Sequence, residues 1–449
     1  MQPSKINKML LRTVIGAVCL TYGSISAKAQ WTLRQCCDYA VEHNLDIKQR
    51  ENQVKEQELE LSTARNSRLP NLSASASQGF NFGRSLTSEN TYTNTNTNST
   101  SFSLGTSVPL FTGFNIPNTI KLNKLNLEAV TADLEKAKND IQMRVAESYV
   151  QILYDMEIAD VAHRQIAIDS AQTARLEAFV RNGKASEAEL SQQKATLANS
   201  RLTATQADNE TRLAILTLTQ LLELSTPEGF SIVRPDVTGQ TSESYLTGIT
   251  PDQIYGEALA VKPEIQSQEL RLRSAEHTIK IAQSALYPSL SLSAGIGSNY
   301  YKTSGYAADN FGKQLSNNFS QYVGLNLNVP IFNRFSTRNN IRKARIAQEN
   351  QQLLYDNTKK TLYKEIQQVY YNSLNAIAKE SSSIEAVKSS KDAFTLMQAK
   401  YENGKATLTE FNEAKNNYLK AESDLVQARY QNLYQQALVE FYRGRQLNF

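Results

Sequence analysis

Two textures of apolar and polar residues alternate along this chain, and each occurs twice. In the first, apolar residues fall at every second position. Leu72, Ala74 and Ala76 alternate with serines, and Phe102, Leu104 and Val108 alternate with Ser101, Ser103, Gly105 and Ser107. The pattern returns at Leu290, Leu292, Ala294 and Ile296, and again at Val323, Leu325 and Leu327. Period two predicts β-strands, here with one apolar face and one face of Ser, Asn and Gly. The four strands are expected at about 71–83, 99–110, 289–301 and 319–331. The polar segments 84–98 and 302–317 read as exposed hairpin loops.

In the second texture, buried-type residues step by three and four. Leu190, Gln193, Leu197, Ser200, Ala204, Ala207 and Thr211 make one such row, and Phe411, Ala414, Tyr418, Ala421, Leu425 and Ala428 make another. This is coiled-coil spacing with a small, polar seam, which suits a helix packed against two neighbours at once.

Proline and glycine punctuate these textures. Residues 118–226 and 331–449 contain no proline, and each stretch is broken by the same element: Arg181-Asn182-Gly183-Lys184-Ala185 and Glu402-Asn403-Gly404-Lys405-Ala406. A glycine there supplies the left-handed residue that ends a helix. Ser186 and Thr407 follow at positions where they can cap the next one. Two long helical hairpins are therefore expected, at about 114–223 and 335–443, with tips at 181–185 and 402–406. Shorter helices are expected at 32–43, 47–68, 252–262 and 264–286.

The halves are a duplication. Gly183 and Gly404, and likewise Pro109 and Pro330, are 221 residues apart, whereas Pro70 and Pro288 are 218 apart. The second strand–loop–strand region is longer by three residues. Pro70 and Pro288 mark junctions where helices give way to strands, and Pro109 and Pro330 sit near strand ends, where a missing N–H is tolerable. Residues 30–228 form the first repeat, 229–250 an irregular linker and 251–449 the second repeat.

Composition narrows the class. Lys5 and Lys8, an apolar run over 9–20 and Ala27-Lys28-Ala29 predict a secretory leader over residues 1–29. The chain has 48 basic and 44 acidic residues; the leader holds four of the basic and none of the acidic. The remainder is neutral, so no basic surface points to a nucleic-acid partner. Cys19 falls in the leader behind Val18, which argues against lipidation, and Cys36 and Cys37 are adjacent and poorly placed to bridge each other. The three histidines, His43, His163 and His277, stand apart from other ligand-type residues. No phosphate loop or nucleophile elbow is present, so neither an enzyme nor a cofactor or metal protein is expected.

Two-faced strands of about 10–13 residues have the length of tilted membrane strands. Phe80, Phe82 and Tyr300 at one end and Phe111 and Phe332 at the other resemble interfacial aromatic girdles. Four strands cannot close a barrel, and open edges in lipid leave backbone groups unpaired. Three chains supply twelve. A helix of about 68 residues spans on the order of 100 Å, long enough for a tube running away from such a barrel.

In this set of features the chain resembles the TolC-like outer membrane efflux protein family. The resemblance is carried by Val108-Pro109-Leu110-Phe111 and Val329-Pro330-Ile331-Phe332, by the paired Pro-x-Leu-Ser strand starts at 70 and 288, and by the two Asn-Gly-Lys-Ala turns. It implies a mainly α fold with membrane β: a periplasmic α-barrel of internally duplicated helical hairpins, and four strands per chain in a trimeric twelve-strand barrel set in outer-membrane lipid. It further implies a homotrimer acting as a passive exit duct. A periplasmic adaptor (membrane fusion) protein and an inner-membrane pump or ABC transporter would dock at residues 181–185 and 402–406. Some members narrow the periplasmic entrance with aspartate rings; here Glu365, Glu380, Glu385 and Asp392 precede the second tip with no close Asp pair. The competing reading is a periplasmic coiled-coil adaptor or scaffold, which usually has one hairpin between β-rich halves rather than two duplicated ones.

Overall fold

In a computed structural model of the chain, the structure describes residues 30–86, 90–235 and 245–447. The expected leader at 1–29 and the centre of the expected linker lie outside the described residues. The described helices are α1 (Leu33–His43), α2 (Leu45–Asn66), α3 (Asn115–Arg181), α4 (Glu187–Leu221), α5 (Pro251–Val261), α6 (Pro263–Ser284), α7 (Phe311–Asn317), α8 (Ser336–Glu402) and α9 (Leu408–Tyr442). The strands are β1 (Gln30–Trp31), β2 (Asn71–Asn81), β3 (Arg84–Leu86), β4 (Tyr92–Asn94), β5 (Thr97–Thr112), β6 (Ser231–Ile232), β7 (Ser289–Thr303) and β8 (Ser320–Asn328). Helices α3 and α8 each have 67 residues, and α4 and α9 each have 35. Their length follows from the absence of breakers. Pro117 lies in the first turn of α3, where its missing N–H has no intrahelical partner to lose.

Contacts divide the chain into two compact units, and each draws segments from both halves of the duplication. One comprises residues 46–137 and 255–365. It holds a four-stranded antiparallel sheet in the order β2-β5-β7-β8. Register places Leu72, Leu104 and Ile296 on one face with Val323, Leu325 and Leu327. The opposite face carries Ser75 and Ser103, whose hydroxyls are 2.7 Å apart, and Ser77 and Ser101, 2.6 Å apart. Lys302, near the end of β7, is the one Asp, Glu, Lys or Arg on these four strands. Val323 is 77 % exposed and Leu325 68 %, so the described residues leave the apolar face uncovered. The outer edges of β2 and β8 have no neighbour in this sheet.

The segments between paired strands are more structured than bare loops. Residues 84–94 carry the short β3–β4 pair, and the second segment carries α7, capped by Asn310. The two Val-Pro elements also differ. Pro109 stays inside β5, at a bulge where pairing to β7 shifts between Pro109 and Phe111, whereas β8 ends at Asn328, before Val329-Pro330. The reason is register. Ser289, the first residue of β7, lies opposite Thr112 on β5, so Pro109 still falls within the paired stretch, but opposite Asn328 on β8, so Val329 and Pro330 lie past the end of the pairing.

Beyond each Val-Pro element the chain turns through two consecutive left-handed residues: Gly113 and Phe114 (φ 61° and 67°), then Arg334 and Phe335 (φ 54° and 63°). Edge-to-face pairs brace both turns, Phe111 with Phe114 at 5.3 Å and Phe332 with Phe335 at 5.6 Å. Within the same unit, Asp133 of α3 accepts hydrogen bonds from Ser267 (2.5 Å) and Arg271 of α6, and Gln57 of α2 donates to Asn123 at 3.1 Å.

The second unit comprises described residues 30–45, 138–235, 245–254 and 366–447. Strands β1 and β6 form a two-residue parallel pair, and the Tyr149 hydroxyl lies 2.7 Å from the Val233 carbonyl and 3.1 Å from that of Trp31. Cys36, Ala40, Val145, Ile152, Leu153, Leu218 and Val439 are fully buried. Toward the hairpin turns the core changes character. Ala159, Ala162, Ala204 and Ala207 pack α3 against α4, the close backbone approach expected of a small-residue seam.

Candidate docking site at the hairpin turns

Both hairpin turns belong to the second unit and share one construction. After α3, the Lys184 N–H donates to the Phe179 carbonyl (2.8 Å) and the Gly183 N–H to that of Val180 (3.0 Å). After α8, Lys405 donates to Lys400 (2.8 Å) and Gly404 to Tyr401 (3.0 Å). Each is a Schellman motif with glycine at the left-handed position, φ 69° in both. Nothing lies within 4 Å of where a Cβ would stand on either glycine. Backbone conformation, not crowding, therefore selects glycine there.

The side chains finish the turns. Asn182 and Asn403 each donate an amide hydrogen back to a helix carbonyl, of Ala178 and Ala399, at 2.7 Å. Ser186 with Glu189, and Thr407 with Glu410, form capping boxes at the starts of α4 and α9. Hydrogen bonds from the Thr407 backbone and hydroxyl hold the Glu410 carboxyl below the usual carboxylate range. Arg181, Asn182, Gly183, Lys184, Glu402, Asn403, Gly404 and Lys405 are exposed, while Ala185 and Ala406 are half-buried. The turns thus present three cations and one carboxylate to solvent, while the N–H groups of Asn182, Gly183 and Lys184, and of Asn403, Gly404 and Lys405, are bonded to carbonyls of the preceding helices.

Behind the turns sits a compact apolar and aromatic layer. Leu176, Leu408 and Phe411 are buried together, with Ala185, Leu190, Phe394 and Tyr401 against them. Tyr401 stacks on Phe411 at 5.1 Å, and Phe394 stacks on Tyr418 at 5.7 Å. Burial pushes the Tyr401 hydroxyl pKa up. Arg175 joins the two hairpins through an ion pair to Glu402 (3.4 Å) and lies over the Phe179 ring at 5.3 Å.

Beyond this layer lies a buried charged group that the periodic rows do not point to. Asp169 of α3 and Lys415 of α9 form an ion pair with neither side chain exposed. The Ser200 hydroxyl donates to Asp169 at 2.6 Å, and the Gln193 amide lies 3.4 Å from it. Gln193 and Ser200 stand on the periodic row of α4 and are buried as that row requires. On α9 the buried set includes Phe411, Ala421, Leu425 and Ala428 but substitutes Lys415 and Leu419 for Ala414 and Tyr418, which are half-buried. Lys415 lies four residues after Phe411, but its counterpart at the 221-residue offset, Lys194, is exposed, so the duplication gave no sign of its burial.

Among the described residues, no group of three or more His, Cys, Asp or Glu is placed to hold a metal ion. Among the described residues, too, no helix is long and apolar enough to cross a membrane.

The chain combines duplicated long hairpins, glycine turns and a nearly uncharged two-faced sheet open at both edges. The chain belongs to the outer membrane efflux protein family, which it matches over residues 37–223 and 254–444. It is 25 % identical over 322 residues to the pyoverdine export outer membrane protein OpmQ of Pseudomonas aeruginosa, covering 71 % of this chain and 64 % of OpmQ. The matched part thus spans less than two thirds of that relative. Its fold is similar to that of CusC (TM-score 0.76, 18 % identity, 92 % of this chain and 91 % of that one). It is also similar to VceC of Vibrio cholerae (TM-score 0.75, 19 % identity, 93 % and 97 %).

Proposed function

We propose that the chain is one subunit of a homotrimeric outer-membrane channel, the passive exit duct of a tripartite efflux pump or type I secretion system. The observation that carries this reading is the sheet. One face is apolar and exposed, the other is lined by serines, and both edges are open. Lipid satisfies the first face, a water-filled lumen the second, and neighbouring copies the edges. A soluble adaptor would leave that apolar face in water, which disfavours the scaffold reading.

In this reading Arg181 to Ala185 and Glu402 to Ala406 are the contact points for a periplasmic adaptor and, through it, an inner-membrane pump or ABC transporter. The channel catalyses no reaction and needs no cofactor; its partner supplies the energy. OpmQ is named for pyoverdine export, which makes a siderophore the first cargo to test.

Membrane fractionation and planar-bilayer recording test the channel. The protein is expected to resist carbonate extraction and to conduct as a trimer; release by carbonate, or a monomer without conductance, overturns the reading. Gly183→Glu and Gly404→Glu test the docking role. Insertion is expected to be normal and export reduced, and full export by both variants removes the turns from the contact.

A further inference from the structure

Charge is unevenly placed in the unit that holds the sheet. The four segments that join helices to strands, 61–70, 112–127, 277–288 and 329–348, contain ten Lys or Arg and no Asp or Glu. All ten cations are exposed. Acids return only at the borders of these segments, as Glu60, Glu128, Glu276 and Glu349.

The duplication sets the cations in matching rows. One row runs Phe114, Pro117, Lys121 and Lys124 into α3, and the other Phe335, Arg338, Arg342 and Arg345 into α8. All eight residues are exposed, and steps of three and four keep each row on one side of its helix. Lys121 and Lys124 match Arg342 and Arg345 at the 221-residue offset. Helix α6 adds Lys280. Burial, then Lys280 and Lys121, hold the His277 imidazole below its ordinary pKa, so these two cations stand around one point. Among the described residues, Lys124 alone of these six cations has a carboxylate partner, Glu128 at 3.8 Å, in a surface pair that holds weakly.

The rows start from the apolar face of the sheet. Past the bulge Phe111 lies opposite Leu290, which lies opposite Leu327, so Phe111 belongs to the apolar face. Phe111 meets Phe114, and Phe114 meets Tyr287 at 6.2 Å. Ile331 and Phe332, 94 % and 72 % exposed, carry the apolar surface on to Phe335. Apolar strand face, aromatic belt and unpaired cations therefore follow one another in that order.

We infer that this collar binds the anionic phospholipid headgroups of the leaflet on the helix side of the sheet. The inference rests on the reading of the sheet as part of a membrane barrel and adds which lipid that barrel selects, and where. With the apolar face in hydrocarbon and the aromatics at its boundary, the first cations stand at headgroup depth. Helical side chains lean toward the helix N-terminus, and both α3 and α8 start at the sheet, so the later cations reach back toward the membrane. A headgroup with net negative charge, such as phosphatidylglycerol, gains from every cation near it, whereas a zwitterionic headgroup brings a cation of its own.

Lipid titration of the full-length protein, purified in detergent and followed by native mass spectrometry, tests the collar. Phosphatidylglycerol is expected to bind at least about tenfold more tightly than phosphatidylcholine with the same chains, and the preference to shrink as ammonium acetate is raised. Arg338→Gln with Arg342→Gln and Arg345→Gln is expected to bring the two lipids within about threefold of each other. Lys388→Gln with Lys391→Gln and Lys420→Gln removes as many exposed charges from the other unit and is expected to keep the preference. Reversal potentials in planar bilayers report cations that line the lumen instead, and the arginine variant is expected to keep the wild-type value. No preference in the wild type, equal loss in the two triple variants, or a shifted reversal potential with the lipid preference intact overturns the collar and leaves the channel reading standing. A monomer by light scattering overturns the channel reading itself.

Discussion

Asp169 and Lys415 lie 246 residues apart in sequence and form an ion pair sealed from solvent on both sides, joining α3 of the first hairpin to α9 of the second. Desolvating two charges is costly, and their attraction offsets that cost only with good geometry and further hydrogen bonds. Here Ser200 and Gln193 provide those bonds. Removing one partner strands the other charge. Lys415→Met or Asp169→Asn is expected to destabilise this region by about 3–5 kcal/mol, whereas Asp169→Leu with Lys415→Met together is expected to fall close to wild type. Hydrogen exchange of α3 and α9 amides near these residues reads the difference locally, which a single melting temperature for a large assembly does not.

The glycines at the turns act through conformation alone. Gly183→Ala and Gly404→Ala meet no steric contact, so their cost is expected to be that of a left-handed alanine, about 1–2 kcal/mol. Asparagine, which tolerates that conformation, should cost less. Faster amide exchange at Lys184 and Lys405, whose N–H groups close the turns, is the expected readout. Equal exchange in the Ala and Asn variants would show that φ does not limit these positions.

Acid should loosen the second turn. The Thr407 bonds depress the folded-state pKa of Glu410, so the box stabilises the fold above the unfolded carboxylate value of about 4.5 and is lost as pH falls through the lower folded value. Protection at the start of α9 is expected to decline in that window, and Glu410→Gln should remove the pH dependence.

At the strand-to-helix junctions two positions related by the duplication should respond in opposite directions. Gly113 has φ 61°, and a Cβ there would stand 2.4 Å from the Ser284 carbonyl oxygen. Gly113→Ala is expected to cost more than 2 kcal/mol, from backbone conformation and the clash together. Arg334 holds the same conformation without being glycine. Arg334→Gly is expected to be neutral or stabilising by up to about 1 kcal/mol, since the strain of a left-handed arginine disappears. Thermal dissociation of the detergent-solubilised protein ranks the two variants.

These positions also mark where the sequence was legible. The row from Gln193 to Ala207 could be read because a helix in contact with two neighbours still buries every third or fourth residue, and small side chains on that row have no other use. Strand faces were legible from period two. Lys415 was not, because a lysine reads as solvent-facing until its carboxylate is known, and Asp169 lies on another helix 246 residues away. Helix α7 and the β1–β6 pair were missed for a related reason. Each is short, seven residues and two, and owes its form to local caps or tertiary neighbours rather than to periodicity.

Cys36 and Cys37 sit adjacent on α1, free and buried. Burial is the main cause that pushes both thiols up from about 9 to about 12, with each charged neighbour adding to it: Cys37 for Cys36, and Asp38 for Cys37. Tyr430 and Tyr434 are raised to about 12 by the same desolvation. Two outcomes are expected. In the folded protein at pH 8 neither thiol is in a reactive state, so a maleimide should label neither, and both should label once the chain is unfolded in denaturant. The sign of the pH effect follows from proton binding. Below about pH 9 both states keep these groups protonated and no difference arises. Above it the unfolded chain releases protons that the folded chain retains, so stability falls as pH rises through roughly 9 to 12. Cys36→Ala with Cys37→Ala should flatten the early part of that decline, leaving the tyrosine part in place. Rapid labelling of either thiol in the folded state at pH 8 would show that α1 opens on the labelling timescale and would remove the basis for the alkaline prediction.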